Sequence, residues 1–487
     1  MHHLSLLLWT PIIGALILAL LPKGATQLAR GVALAHAGVA LGLALWALWR
    51  FEPGGPAAQL VEQAPWTPET GLAYAIAIGG LSAPLLVLTA GMMFVALIAS
   101  GEIQHNVRSY HAWMLALETG VFGVFLSRDW SLFYLFWELT LIPLFFLINL
   151  WGGPKRGKAS LTFLLYTMGG SVFMLVALLT LFASAHQGSF SMDTLAQSAQ
   201  SLPLPVQQAV LAGLFLGFGV KLPAFPLHGW LPITYVEAPA PVSLVLSAVL
   251  SKMGAYGLIL AATTLPAAAA SMAPGLSALG VISIVYGALL AWRQTDLKAM
   301  IACSSASHMG FVLVGLGSMN EAGLMGASLQ MVAHSLVAGT LFLLAGAIER
   351  RVHTQSLGSL GGLITSSPRL SVLMIVGLLA SMGLPGFVGF VAELHTLAGG
   401  FQRFGLWIGL VSVGVLIGAA AALRTINQVF MGPAKHPGMG DLSVAELLAA
   451  APLVALTVGL GLFPNLALSV MAPTVLRLAA LFPVVVS

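Results

Sequence analysis

Residues 217–232 read GFGVKLPAFPLHGWLP, and residues 244–260 read LVLSAVLSKMGAYGLIL. Each stretch is apolar, and each carries one lysine, Lys221 or Lys252, far from any loop that would hydrate it. A charge at mid-bilayer costs roughly 2.5–3.5 kcal/mol even on the lenient insertion scale, so a chain that keeps two of them is expected to use them. Around these stretches lie 487 residues, 59% hydrophobic and only 7% charged, with a mean hydropathy of +0.98. That composition excludes a water-soluble globular domain and indicates an all-α, polytopic membrane protein whose buried charges move ions.

Splitting the chain at loops with Pro, Gly and charge gives about fourteen runs of spanning length. They fall at 4–22, 29–50, 79–100, 109–127, 130–151, 159–185, 206–226, 241–263, 272–292, 297–317, 321–349, 370–400, 403–431 and 444–463. The first run has no basic residue before it and no small-residue cleavage site, so it reads as a retained helix and not a signal peptide. Thirteen Lys and Arg, among them Lys155, Arg156, Lys298, Arg350 and Arg351, fall in loops on one side, against Arg50, Arg128 and Arg403 plus the acidic Glu52, Glu62 and Glu69 on the other. The positive-inside rule puts the first side in the cytoplasm, in an inner (plasma) membrane, with both termini outside.

The seventh run carries Pro223 and Pro226 just after Lys221, and the twelfth carries Gly383, Pro385 and Gly386 just before Glu393. Proline removes a helix donor, and in lipid the freed carbonyls need other partners. Paired breaks at matching places point to two inverted five-helix repeats with an ion path at their interface. The expected organisation is a three-helix segment 1–100, a first repeat 109–263, a second repeat 272–431 and a C-terminal helix and tail 444–487.

The remaining polar positions inside the runs extend the path. Glu138, in YLFWELTLIPLFFLI, has a charge state that depends on whether a lysine is close, so a Glu–lysine pair is a switch; the alternative is a static pair locking two helices. Lys221 and Lys252 suit a proton relay, Lys252 being too central to snorkel. His308 and His334 can pass protons between partners or serve as hydrogen-bonded packing residues, and Ser304 and Ser307 lie near His308. Glu393 would be the terminal carboxylate of an outward water path. Glu118 is a further intramembrane carboxylate, either functional or a protonated interhelical donor, while His228 and Trp230 shape the loop after the first break.

Cys303 is the single cysteine, so a thiolate metal cage or iron–sulfur cluster is excluded. No phosphate-cradling loop, dinucleotide fingerprint or metalloprotease motif is present. The sequence pI near 9.3 reflects basic residues scattered through short loops, a topology signal and not a nucleic-acid footprint. Nothing here binds a nucleotide, a metal or a nucleic acid, so the energy for transport must come from another chain.

Phe136 through Pro143 (FWELTLIP) followed by Trp151-Gly152-Gly153 resembles the fifth-span motif of the M-type, chain 4, antiporter-like subunit of respiratory complex I, NADH:quinone oxidoreductase. So do Lys221–Pro232, Lys252–Gly257, Asp296–Gly310 (DLKAMIACSSASHMG), Glu349–Thr354 (ERRVHT) and Gly383–Glu393. The resemblance runs from about residue 80 to 435. It implies that Glu138 and Lys221 form the switching pair, Lys252 is the central relay, His308 and His334 bridge, and Glu393 faces the exit. It also implies L-type and N-type neighbours, and partner subunits that carry NADH, FMN, iron–sulfur clusters and quinone, this chain being the translocating part of that enzyme without a redox centre of its own. Two positions depart from the family pattern: Ile233 where Asp is usual, and Gln355 where Arg is frequent. A subunit of a multisubunit cation/proton antiporter or membrane-bound hydrogenase shares this fold, and a non-transporting spacer is a third reading.

Overall fold

The computed structural model describes residues 2–67, 71–184 and 188–482. Glu69 of the acidic loop, residue 185 at the end of the sixth expected run, and residues 483–487 of the C-terminal segment lie outside the described residues.

Helices α1 (His3–Leu20) and α2 (Thr26–Arg50) lead into a hairpin of β1 (Gln59–Thr67) and β2 (Leu72–Ile78). Next come α3 (Ser82–Ala99), α4 (Val107–Leu126), and two half-helices hinged at Thr140, α5 (Trp130–Leu139) and α6 (Leu141–Trp151). They are followed by α7 (Arg156–Ser184), the short α8 (Met192–Ala199), α9 (Leu204–Lys221) and α10 (Leu231–Glu237). α11 (Ala240–Val245) passes through a π-helical turn, Leu246–Leu250, into α12 (Ser251–Thr264). α13 (Pro266–Arg293), α14 (Leu297–Ser318), α15 (Glu321–Val352) and the single turn α16 (Leu363–Ser366) precede the half-helices α17 (Pro368–Ser381) and α18 (Val388–Phe404). The bundle closes with α19 (Leu410–Phe430), α20 (Val444–Leu462) and α21 (Asn465–Ala479).

By length and composition, twelve helical runs among the described residues can cross a bilayer, so the fourteen expected runs are not recovered one for one. α4 stands where the fourth was placed; its 20 residues reach about 30 Å, but Arg108, His111 and Glu118 make it less apolar than the others. The expected twelfth run is split, with only 14 residues in α17, while α18 continues into α19 as one apolar stretch. Both expected breaks are present, at residues 222–230 and 382–387. Gly383 and Gly386 turn the second at φ of +69° and +98°, where a side chain is strained.

The β-hairpin is an addition to the all-α expectation. Its register runs from Gln59↔Ile78 to Thr67↔Leu72, and Leu72-Ala73-Tyr74-Ala75-Ile76-Ala77-Ile78 alternates large with small apolar side chains and carries no apolar/polar alternation. The hairpin has a structural task. Glu62, buried on β1, accepts from the backbone N–H of Leu4 (2.7 Å) and of Ser5 (3.0 Å), filling the first-turn donors that α1 has no cap of its own to satisfy.

Burial grades across the bundle. The apolar core of the α15 span is 100% buried, that of α11–α12 94% and that of α14 89%, against 28% for α2 and 22% for α20. The helices that carry Lys252, His308 and His334 are therefore the centre of the molecule, and lipid faces lie elsewhere.

At the opposite end from the hairpin, α15 finishes in Glu349-Arg350-Arg351. Arg350 pairs with Glu102 (3.0 Å) and Glu446 (2.7 Å), Arg351 pairs with Glu446 (2.6 Å), and buried Lys298 pairs with Glu349 (2.7 Å). Nearby, Asp441 caps α17 from outside its own helix, accepting from the N–H of Arg369 (2.9 Å) and Leu370 (3.0 Å) as well as Leu442 (2.8 Å). Partial burial pushes the Asp441 carboxyl up, but these three donors and the Arg369 charge outweigh it and hold it below the ordinary aspartate value. A depressed carboxyl stabilises the fold above its unfolded pKa and ceases to do so as pH falls through its folded pKa. Asp441→Ala is expected to cost about 1 kcal/mol at neutral pH. Thermal unfolding in detergent checks this, and the difference from the native chain should shrink on acidification toward pH 3.

Candidate functional site

Thr140 is the hinge of a broken span. Pro143 has no N–H to give to the Leu139 carbonyl, and the Leu144 N–H reaches Thr140 O only at 3.4 Å, so α5 ends there with unfilled carbonyls and the negative end of its dipole. Lys221, 1% exposed at the last residue of α9, occupies that end. Its Nζ donates to Trp137 O (3.1 Å) and Thr140 Oγ1 (2.9 Å) and lies 3.8 Å from the centroid of the Trp137 ring. A buried ammonium is thus solvated by a helix C-terminus, a hydroxyl and an aromatic face.

Glu138 is on the same turn, but among the described residues it forms no ion pair with Lys221, and its Oε1 is buried without a hydrogen-bond partner. The structure therefore places the two expected partners side by side with the lysine turned to Trp137 and Thr140. An unfilled carboxylate oxygen next to a lysine with alternative acceptors is one half of a two-position arrangement.

Beyond Lys221 the break is stitched by side chains. Trp230 Nε1 donates to Val220 O (3.0 Å), and Ser283 Oγ accepts from the Phe225 N–H (3.0 Å). Gly254 of α12 then packs on this end of α9; a Cβ there would meet Phe218 O at 2.5 Å and Leu222 N at 2.7 Å. Glycine in KMGAYG is what lets the Lys252 helix lie backbone to backbone against the Lys221 helix.

Lys252 emerges directly after the π-helical turn. Such a turn leaves carbonyls outside the α-helical ladder, and here each of three is filled by a side chain. Tyr235 donates to Leu246 O (3.0 Å), Ser251 (2.9 Å) and Lys252 Nζ (2.8 Å) to Ser247 O, and Ser335 to Ala248 O (2.5 Å). Lys252 Nζ also bonds Ser251 Oγ (3.1 Å) and stands 2.5 Å from His334 Nδ1. At that separation one proton lies between the two nitrogens: an ammonium donating to neutral imidazole, or an Nδ1–H donating to a neutral amine. His334 Nε2 is buried and has no hydrogen-bond partner among the described residues.

The His308 ring lies 5.7 Å from the His334 ring, at 89° to it. His308 lines a cavity of about 20 Å³ together with Ser304, Ser307, Ser381 and Glu393, room for a water, which needs roughly 10–15 Å³. Ser307 gives its proton to Ile284 O (2.8 Å) and so can only accept from that water. Glu393, 8% exposed on α18, closes the line, and the left-handed Gly383 is where a Cβ would collide with its Oε2.

Two clusters result. One holds Lys221 with Glu138 beside it; the other holds Lys252, His334, His308 and Glu393 in order across α12, α15, α14 and α18. Several of the participating side chains were not singled out in the sequence. Thr140 sits inside a quoted motif, Ser335 adjoins His334, and buried Gln330, one turn before His334 in GASLQMVAHSL, donates to His308 O (3.4 Å) with its Oε1 unfilled. Glu118 is fully buried, and among the described residues neither of its oxygens has a hydrogen-bond partner, so the interhelical bond considered for it is not formed there. His228 stacks on Phe225 and meets Tyr286 edge-on in the loop of the first break.

The bundle and its inward-facing titratable groups define a polytopic membrane protein with an ion path built from broken helices. Residues 127–418 match the model of the family described as NADH:quinone oxidoreductase/Mrp antiporter, transmembrane. The chain belongs to that family. It is 39% identical over 480 residues to NAD(P)H-quinone oxidoreductase chain 4 of Thermosynechococcus vestitus, covering 95% of this chain and 89% of that one. With the corresponding chain of Synechococcus sp. (strain JA-3-3Ab) it shares 40% identity over 492 residues, 98% of this chain and 93% of the relative. Among solved structures, a chain of respiratory complex I from Thermus thermophilus with bound NADH superposes with a TM-score of 0.90 at 30% identity, covering 99% of this chain and 100% of that one. The Mrp complex from Dietzia sp. DQ12-45-1b shares the fold, with a TM-score of 0.88 at 21% identity over 98% of each chain.

Proposed function

We propose that this chain is a proton-translocating membrane subunit of a complex I-type NADH:quinone oxidoreductase. The observation that carries the reading is the ordered line Lys252, His334, His308 and Glu393, with a shared proton at one end and a water-sized cavity at the other. Lys221 and Glu138 form the upstream switch: when Lys221 leaves Trp137 and Thr140 for Glu138, the local charge seen by Lys252 changes, and its proton moves to His334. Residues 109–263 and 272–431 act as the two repeats, with the breaks at 222–230 and 382–387 at matching places. The full-length similarity to chain 4 relatives supports this reading over a free-standing transporter. In it, partner subunits carry NADH, FMN, iron–sulfur clusters and quinone, L-type and N-type chains flank this one, and the Arg350–Arg351 end faces the cytoplasm of an inner-membrane complex.

Affinity purification in mild detergent tests the assignment. Recovery of a large assembly that reduces quinone with NADH is the expected result. Recovery of antiporter-like chains alone, with cation-dependent transport and no NADH oxidation, would replace it with a cation/proton antiporter subunit.

A further inference from the structure

A second polar space lies at the hairpin end of the first half, away from Glu393. A cavity of about 300 Å³, ample for several waters, is bounded by the β2–α3 turn, the start of α5, α8, the end of α12 and α21. Its mouth carries the Arg128–Asp193 pair (3.2 Å), whose side chains are 26% and 77% exposed, and Gln200 on the exposed side. Its floor carries Tyr256, 5% exposed, and Trp130, 0% exposed. The Trp130 ring lines the floor, and its Nε1 donor is buried without a hydrogen-bond partner among the described residues. The walls are fixed: the Arg128 N–H donates to Ala75 O on β2 (2.9 Å), and the Met192 N–H on α8 donates to Arg128 O (3.1 Å).

Tyr256 stands one helical turn beyond Lys252 on α12, a separation of about 5–6 Å between Cβ atoms, and residues four apart share a helix face. Its ring is held edge-on by Phe125 (5.4 Å), and its hydroxyl lies beside Ser82 at the cavity floor. Buried Leu81 and Ile259 line the cavity together with Tyr256.

We propose that this cavity is a water-filled vestibule through which protons pass between Lys252 and the aqueous phase on the hairpin side, with the Tyr256 hydroxyl as the step between. The inference rests on the proton-translocating function proposed above. The phenol releases its own proton to vestibule water as it takes one from the lysine side through an intervening water, so no tyrosinate accumulates and charge balances. The vestibule gives the first half of the chain an outlet separate from the Glu393 cavity.

The test uses the whole complex in proteoliposomes. Radiolytic hydroxyl footprinting should label Tyr256 and Trp130 at least several-fold faster than Trp137, equally buried but with its N–H bonded to Ser171 (3.1 Å). In a Gln200→Cys variant, a membrane-impermeant charged thiol reagent should lower proton translocation at least about twofold relative to the same vesicles before treatment. Cys303 is buried, Ser201→Cys serves as the exposed position off the cavity, and native complex treated alike corrects for other subunits. Tyr256→Phe, which keeps the ring packing, should assemble and lose translocation about tenfold. Labelling no faster than Trp137, or complete modification at residue 200 with undiminished translocation, overturns the vestibule. If Lys221→Met still abolishes translocation in that case, the proposed function stands without it; if Lys221→Met translocates fully, the underlying reading fails as well.

Discussion

Lys221→Met should abolish proton translocation while leaving the complex assembled. Methionine has similar length and fills the space against Trp137 without a charge. Lys221 is held by the neutral Trp137 O and Thr140 Oγ1 and forms no ion pair among the described residues, so the substitution breaks no buried charge pair, and assembly is read separately from translocation. What disappears is the ammonium held by Trp137 O and Thr140 Oγ1, and with it the group proposed above as the switching partner of Glu138. Removing a positioned proton-transfer group lowers rates roughly 10²–10⁴-fold, and a loss at the lower end, about 100-fold, is expected here. Translocation measured by a pH-sensitive dye in vesicles, alongside the abundance of the intact complex on a native gel, checks both parts. Translocation near the native rate would remove the switch.

Lys252 and His334 should behave as one unit. Their nitrogens are 2.5 Å apart and hold one proton between them, so each is useless to the relay without the other. Lys252→Met and His334→Leu are each expected to reduce translocation by roughly two orders of magnitude. The double variant should be no worse than either single one, because residues acting together give non-additive effects. Multiplying losses in the double variant would mean that the two carry protons on separate routes. The single variants also differ in structure: Lys252→Met leaves His334 Nδ1 without its partner, while His334→Leu leaves the lysine its bonds to Ser247 O and Ser251 Oγ. His334→Leu should therefore assemble at least as well as Lys252→Met.

The fold was largely readable because a bilayer restricts what a chain can do. Long apolar runs have to be helices, and Pro223, Pro226 and Gly383–Gly386 can interrupt them only where protein or water satisfies the freed carbonyls. The hairpin was not read, since an apolar alternation such as Leu72–Ile78 is masked when every neighbouring segment is apolar as well. The site divides in the same way. A charged residue in an apolar run stands out by itself, which is why Lys221, Lys252, His308, His334 and Glu393 could be named from sequence. Who touches whom depends on helix packing: that Lys221 rests on Trp137 O and Thr140, that the Lys252 turn is π-helical, and that Gly254 meets the Phe218 carbonyl are all tertiary facts. Hydroxyl and amide residues such as Thr140, Ser335 and Gln330 carry no such mark, because in a membrane helix they more often bond their own backbone.

The central claim, that protons cross through the buried line that starts at Lys252, is tested most directly by the proton-to-electron ratio of the complex in proteoliposomes with native chain or Lys252→Met. Electron flow is read from NADH oxidation and proton flow from internal pH in the same vesicles. The expected result is a ratio clearly below native, or a joint collapse of both fluxes if coupling is strict. A native ratio at a native rate would show that protons take a path on which Lys252 does not lie.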